Sequence, residues 1–484
     1  MATYPNPLPS GPSLVAFQEA TKPSTTPSLP SSWTAALLLS PWGDSIAPLD
    51  HYSQLVIGSI EYESSGPAQA MRVQLYLTQD MRFFDFYFQA DADGSRWYWI
   101  DSTPGGPIVN VYGPFQTTLQ PPQPSFFAEN GTQWGIAYPL LGSVCNHWVV
   151  PTPGSSDHGS WFAFRQGGAL FRVFNLDATN PLMIPVLGSY YIANVPTFVP
   201  GPVSGATQDL RARVKHATAP AQGGYWNPMV TQEDIQRAMA APLASAPCTL
   251  QQIQDVIPGF VPKPSGVPLP VWSKHTYIEG WTIGTDFIPY YTRVCYLWTG
   301  DASSKQQTVF IGLGVDAGQG VYLQRTDTCL NTHETDQPYY TWSSNQWLLN
   351  QCLPKIPGVG LPYPDWVSRD GGVVMGMITG NPAFGLAPGQ SLNLVAAQLP
   401  RGGGELAIFW LWFTGEGDGV LFTEGNFMNP LSHNLQLIDY TLFAKDAGIS
   451  QQDFSNPCGV ALPGPGGAVR SVTGHAKRPG RSLR

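Results

Sequence analysis

The chain repeats itself, and this limits its fold more than any other feature. Trp161, Phe164, Asn180, Pro181, Leu182 and Tyr191 recur as Trp410, Phe413, Asn429, Pro430, Leu431 and Tyr440, always 249 positions on, and Pro151 and Gly154 recur as Pro400 and Gly403 at the same spacing. Upstream the matches keep their order at other spacings. Trp33-Thr34 answers Trp281-Thr282, and Gln133-Trp134 answers Gln346-Trp347. Arg72, Val73, Thr78 and Asp80 answer Arg293, Val294, Thr299 and Asp301, while Gly94 and Tyr98 answer Gly318 and Tyr322. Changed spacings are what loop insertions between fixed strands produce. Solenoid and propeller units are about 20–50 residues long, so this period describes two copies of one domain rather than an array.

Composition narrows the class of that domain. Only 12% of the 484 residues are charged, aromatics also reach 12%, and Gly (51) and Pro (47) are abundant. Sparse charge with many rings and breakers suits loop-rich β structure and argues against helical enzymes and disordered chains. A net charge of −9 argues against a general nucleic-acid surface. Residues 1–30 lack a basic start followed by an apolar core, so no signal peptide is expected, and the longest apolar run, Leu406 to Phe413, is strand-sized, so no membrane span is expected. Six cysteines stand at 145, 248, 295, 329, 352 and 458, and the copies share none of them. A disulfide framework would be duplicated with its domain, so free thiols are expected, a Cys329–Cys352 bridge being the one alternative.

Five segments follow. Residues 1–30 form a Pro-rich extended arm; 31–200 form the first β domain; 201–270 form a linker; 271–446 form the second β domain; 447–484 form a Gly/Pro-rich tail carrying Arg470, Lys477, Arg478, Arg481 and Arg484. Phe84, Phe86 and Phe88 alternate with Asp85 and Tyr87, and the turn Ala92-Asp93-Gly94 leads into Arg96 to Ile100, which together read as a hairpin. Its counterpart runs from Thr308 to Leu313, turns through glycines and returns at Val321 to Leu323. In the linker, Thr231 opens one short helix through Ala240 and Thr249-Leu-Gln-Gln252 opens another, closed by Pro258-Gly259. Both are too short to stand alone, so they are expected to clasp the domains. The expected fold is all-β: two tandem homologous antiparallel β-sandwich domains, jelly-roll-like, with a short helical linker.

Candidate chemistry is thin. The glycines from Gly312 to Gly320 precede a strand, whereas a phosphate-cradling loop opens a helix. Asp91, Asp93 and Gly94 resemble the opening of a calcium loop without its closing Glu. Cys145 with His147, and Cys329 with His333, Glu334 and Asp336, lack a second ligand pair, so no metal and no cofactor is expected. Asp157, His158 and Ser160 are the one grouping with hydrolase residue types, and no Gly-x-Ser-x-Gly elbow occurs. No catalytic residue is assigned. The candidate ligand-binding residues are Trp97, Trp99 and Arg96: two rings on one strand face beside a guanidinium could stack against a sugar, the alternative being that the rings fill a core. Asn130-Gly131-Thr132 is a glycosylation sequon for a chain that enters the secretory pathway.

The run from Phe409 to Phe422, FWLWFTGEGDGVLF, pairs an aromatic strand with a Gly-rich turn. In general character it resembles strands in capsid and surface-protrusion proteins of small non-enveloped RNA viruses. The resemblance covers one hairpin per repeat and transfers no receptor-binding residue. It implies a virion capsid or surface protein active in assembly or attachment, partnered by copies of itself or other virion proteins, and by a host glycan or receptor. The basic N-terminal arm of capsid shells is missing, which leaves RNA contact to the basic tail. The expected location is the virion, with extracellular or cytoplasmic as alternatives. A carbohydrate-binding, lectin-like module and a hydrolase on a β scaffold are the other functional readings.

Overall fold

The computed structural model describes residues 26–41, 55–117, 120–133, 138–141, 143–151, 159–176, 190–217, 246–284, 289–300, 303–316, 320–330, 339–345, 351–353, 361–369, 371–400, 406–414, 421–429 and 434–454. The first half contains β1 (Ser32–Pro41), β2 (Val56–Ser65), β3 (Ala68–Leu77), β4 (Arg82–Asp91), β5 (Gly94–Ser102), β6 (Ile108–Thr117), helix α1 (Phe126–Asn130), β7 (Thr132–Gln133), β8 (Tyr138–Leu140), β9 (Ser143–Pro151), β10 (Gly159–Arg165), β11 (Leu170–Leu176) and β12 (Tyr190–Pro200). The linker contributes α2 (Gly205–Arg213), β13 (Ala246–Pro247), α3 (Leu250–Val256) and β14 (Phe260–Pro262). The second half contains β15 (His275–Gly284), β16 (Pro289–Leu297), β17 (Lys305–Asp316), β18 (Gly320–Leu330), β19 (Tyr339–Asn345), β20 (Gln351–Leu353), helix α4 (Trp366–Arg369), β21 (Val373–Thr379), β22 (Ser391–Pro400), β23 (Leu406–Thr414), β24 (Leu421–Asn429) and β25 (Asn434–Lys445).

The protein is all-β and antiparallel. Each half hydrogen-bonds as one sheet, in the order β6-β5-β4-β3-β2-β1-β12-β11-β10-β9-β7 and β20-β19-β18-β17-β16-β15-β25-β24-β23-β22-β21-β14. Consecutive strands pair through tight turns such as Gly66 (φ 60°) and Gly94 (φ 116°). The first and last strands of each half meet in mid-sheet. Each half is thus two antiparallel meanders, β1–β6 with β7–β12 and β15–β20 with β21–β25, joined by one connection that passes from one sheet edge to the other, rather than the jelly roll expected.

The hydrogen-bond register shows which residues of the two halves correspond. A bulge falls between Ala163 and Phe164 on β10 and between Trp412 and Phe413 on β23, so the Trp161/Trp410 and Phe164/Phe413 matches are structural. Stepping outward, Arg172 faces Asn194 as Thr423 faces Asp439, and Asn194 faces Leu38 as Asp439 faces Trp281. Leu38 therefore answers Trp281, and the Trp33 match is five residues out of register. Tyr440 answers Val195, so the Tyr191 match is four residues out. Arg72 and Gly94 lie on β3 and β5, whereas Arg293 lies on β16, and Tyr322, matched to Tyr98 of β5, lies on β18. Those matches are one strand out, since neighbouring aromatic strands of a meander look alike in sequence. Outside the sheets, the N–H groups of Leu29 and Trp272 bond Pro124 and Pro364 at 3.2 and 2.8 Å, which places α1 and α4 equivalently. Residues 177–189 and 430–433, which hold Asn180-Pro181-Leu182 and Pro430-Leu431, lie outside the described residues.

Alternation along the strands gives each sheet two apolar faces. One face of the first sheet packs Trp33, Leu37, Val73, Phe86, Trp97 and Phe162 around Phe127 of α1. The corresponding face of the second packs Ile278, Val294, Tyr296 and Val395 around Trp366 and Val367 of α4. The opposite faces meet in one cluster, with Leu38, Ile57, Trp161 and Phe174 from the first sheet against Ile283, Leu394, Ala396 and Leu437 from the second. The two layers of a sandwich thus come from different halves.

The linker binds both layers. β13 pairs with β4, β14 pairs with β21, and between them α3 buries Ile253 in the shared cluster under the capping box of Thr249 and Gln252. Helix α2, capped by Ser204, was not apparent in the sequence; it lays Leu210 against Tyr87, Tyr98 and Ile100. Residues 231–240, the other expected helix, lie outside the described residues, as do the arm before residue 26 and the tail after 454.

Candidate functional site

The three sequence candidates do not form one surface. Trp97 is 2% exposed, in the core beneath α1, with its ring 6.0 Å from Phe86. Trp99, half-buried on the same face, stacks on Tyr112 at 4.9 Å. Strand alternation turns Arg96 to the opposite face, where it pairs with Asp91. Asp91 also accepts the Asp93 N–H, so the calcium-like turn is closed internally.

Other candidates are sealed. Ser160 is buried and donates to Asn175, and Asp157 and His158 lie outside the described residues. Cys145 and His147 lie on the shared face of β9, where burial pushes the thiol up to about 12. Burial, with Arg172 nearby, pushes the imidazole down to about 3. Among the described residues no three His, Cys, Asp or Glu side chains form a metal-binding group. Cys145, Cys248 and Cys295 are buried thiols; the side chains of Cys329 and Cys352, and residues 331–338, lie outside the described residues. β17 and β18 pair down to Asp316 and Gly320, which makes the glycine run a hairpin.

Three polar groupings lie on the faces that meet or flank the shared core. Under α2, Arg72 grips Asp85 at 2.9 and 2.6 Å, with Ser102 and Thr207 completing the shell. Between the halves, Arg172 bonds Asn194 at 2.8 Å and Asp439 at 2.5 Å. That ion pair borders a cavity of about 10 Å³ lined by His147, Trp161, Ile283 and Leu437, among others.

The third grouping is half-exposed and lies on β15 and β16. Tyr277 donates to Glu279 and Tyr291 bonds the same carboxylate; burial first, and the carboxylate beside them second, raise both phenol pKa values. Arg293 faces Glu279 across the strands, and Trp281 faces Tyr291 with its ring edge-on at 5.6 Å. Tyr277 and Arg293 are buried, while Glu279, Trp281 and Tyr291 are partly open. A sequence signal existed, since Tyr277, Glu279, Trp281 and Ile283 alternate on one strand face, but only strand pairing places Tyr291 and Arg293 beside them.

No protein-family model and no curated protein matches the chain. Among solved structures it is similar to MucB in complex with MucA(peri), at 9% identity over 83% of this chain and 92% of that one, with a TM-score of 0.20. It is also similar to MucB, at 10% identity over 68% and 88% with a TM-score of 0.20, and to the Pseudomonas aeruginosa MucA/MucB complex, at 9% over 80% and 90% with a TM-score of 0.20. Scores this low carry no argument about this chain.

Proposed function

We propose that the chain is a structural and recognition protein of the virion capsid or surface kind, acting through assembly or attachment. The observation that carries this reading is the shared core. It joins two large sheets into one platform, and it engages Arg172 and Asp439 internally rather than presenting them to solvent. Among the described residues, no helix is long and apolar enough to cross a membrane. Partners would be further copies of the chain or other virion proteins, with the basic tail as a secondary RNA contact. Sedimentation of the full chain, alone and mixed with particles, tests the reading: oligomers or co-sedimentation are expected, and a monodisperse monomer that never sediments with particles would overturn it. A carbohydrate-binding module is the second reading, favoured by the half-exposed carboxylate and rings of β15 and β16.

A further inference from the structure

Register equivalence separates what the scaffold needs from what one half adds. The positions of Tyr277, Glu279 and Trp281 on β15 correspond to Thr34, Ala36 and Leu38 on β1, and those of Tyr291 and Arg293 on β16 correspond to Ile57 and Ser59 on β2. Both halves pair these strands centrally and turn this face toward the partner sheet. The first half does so with small and aliphatic side chains, so neither the strand pairing nor the packing requires a carboxylate, a guanidinium and three rings. Burying Arg293 and partly burying Glu279 also costs desolvation that Ser59 and Ala36 avoid.

We propose that Glu279, Trp281 and Tyr291 form a binding site for a neutral sugar ring, with Tyr277 and Arg293 positioning the carboxylate. The chemistry selects this class. The Glu279 carboxylate accepts from Tyr277 and Tyr291, which fixes it and leaves its remaining lone pairs for sugar hydroxyls. Arg293 stands across the strand pair from Glu279 as a nearby countercharge, and Trp281 and Tyr291, packed on the shared core on one side, keep part of their ring surface open to the C–H face of a pyranose. A bulge in β25 opposite Glu279 and Gly280 turns out Thr441, which is exposed and donates to the Glu279 carbonyl at 3.4 Å, placing a hydroxyl beside the grouping. The inference rests on the recognition reading and adds ligand class and position to it.

The test is saturation-transfer NMR on the full chain with methyl β-galactoside, methyl α-mannoside and N-acetylglucosamine, repeated on Trp281→Leu and Glu279→Gln. Trp281→Leu installs the residue that the first half uses at that position, and Glu279→Gln preserves shape. Glu279→Gln should keep the wild-type melting temperature to within a few degrees because it conserves volume, whereas Trp281→Leu, which removes a ring packed against the shared core, should lower it, so the Gln variant separates lost binding from lost packing. At least one sugar should bind the wild type, and each variant should weaken it about tenfold, the loss of one ring or charge-assisted contact. Binding that survives both substitutions overturns this site while leaving glycan recognition standing. Silence from all three sugars with the wild type overturns the site and leaves the assembly role to the sedimentation result.

Discussion

Arg172 is held by Asn194 and Asp439, which occupy equivalent positions on the last strands of the two halves, and all three are buried. Its own counterpart is Thr423, so the contact is two-fold in its acceptors and single in its donor. Arg172→Ala would strand Asp439 and should cost about 3–5 kcal/mol in urea unfolding, whereas Arg172→Met with Asp439→Leu should recover most of that loss. His147 lies in the same cavity lining, with its folded pKa of about 3 below the ordinary 6.5. The unfolded chain therefore takes up the proton first, and stability should fall as pH drops from about 6.5 to 3, by about 1.4 kcal/mol per unit at most. His147→Phe should flatten that slope in unfolding curves measured across the window. Trp97→Ala should cost about 3–5 kcal/mol, as for a filled core position. Arg96→Ala, which breaks a partly exposed pair, should cost about 1 kcal/mol or less. A large loss at Arg96 would contradict the placement of these residues on opposite faces.

At the scale of elements, the linker turns from α3 into β14 at Gly259. Its φ is +78°, and a Cβ there would stand 2.1 Å from the Thr379 carbonyl oxygen. Gly259→Ala should therefore destabilise by more than about 1 kcal/mol, and Thr249→Ala, which removes the α3 cap, by about 1 kcal/mol. The α3 boundaries were legible because Thr249, Gln252 and Pro258-Gly259 are local signals. Helices α1 and α4 were legible in principle: Pro124-Ser125-Phe126-Phe127 and Pro364-Asp365-Trp366-Val367 share a proline, a capping residue and two apolar positions. Strand correspondence was not. Trp33 and Trp281 look like partners in sequence, yet hydrogen bonding makes Leu38 the equivalent of Trp281, because register depends on bulges that leave no sequence mark here. The Glu279 grouping escaped notice for the same reason, since its five side chains come from two strands.

For the whole molecule, the two halves form layers rather than beads. Each half supplies one sheet with its own helix-capped face, and the other faces merge across Leu38, Trp161, Leu394 and Leu437. Burial of this kind contributes about 25 cal/mol per Å² of apolar surface, and β13, α3 and β14 extend it from the linker. The halves should therefore stay together when the chain between them is cut. A specific protease site inserted after Gly224, cleaved to completion and followed by native size-exclusion chromatography, measures this directly. The two fragments should co-elute at the volume of the intact chain; separation into two peaks without denaturant would show that the halves do not share a core.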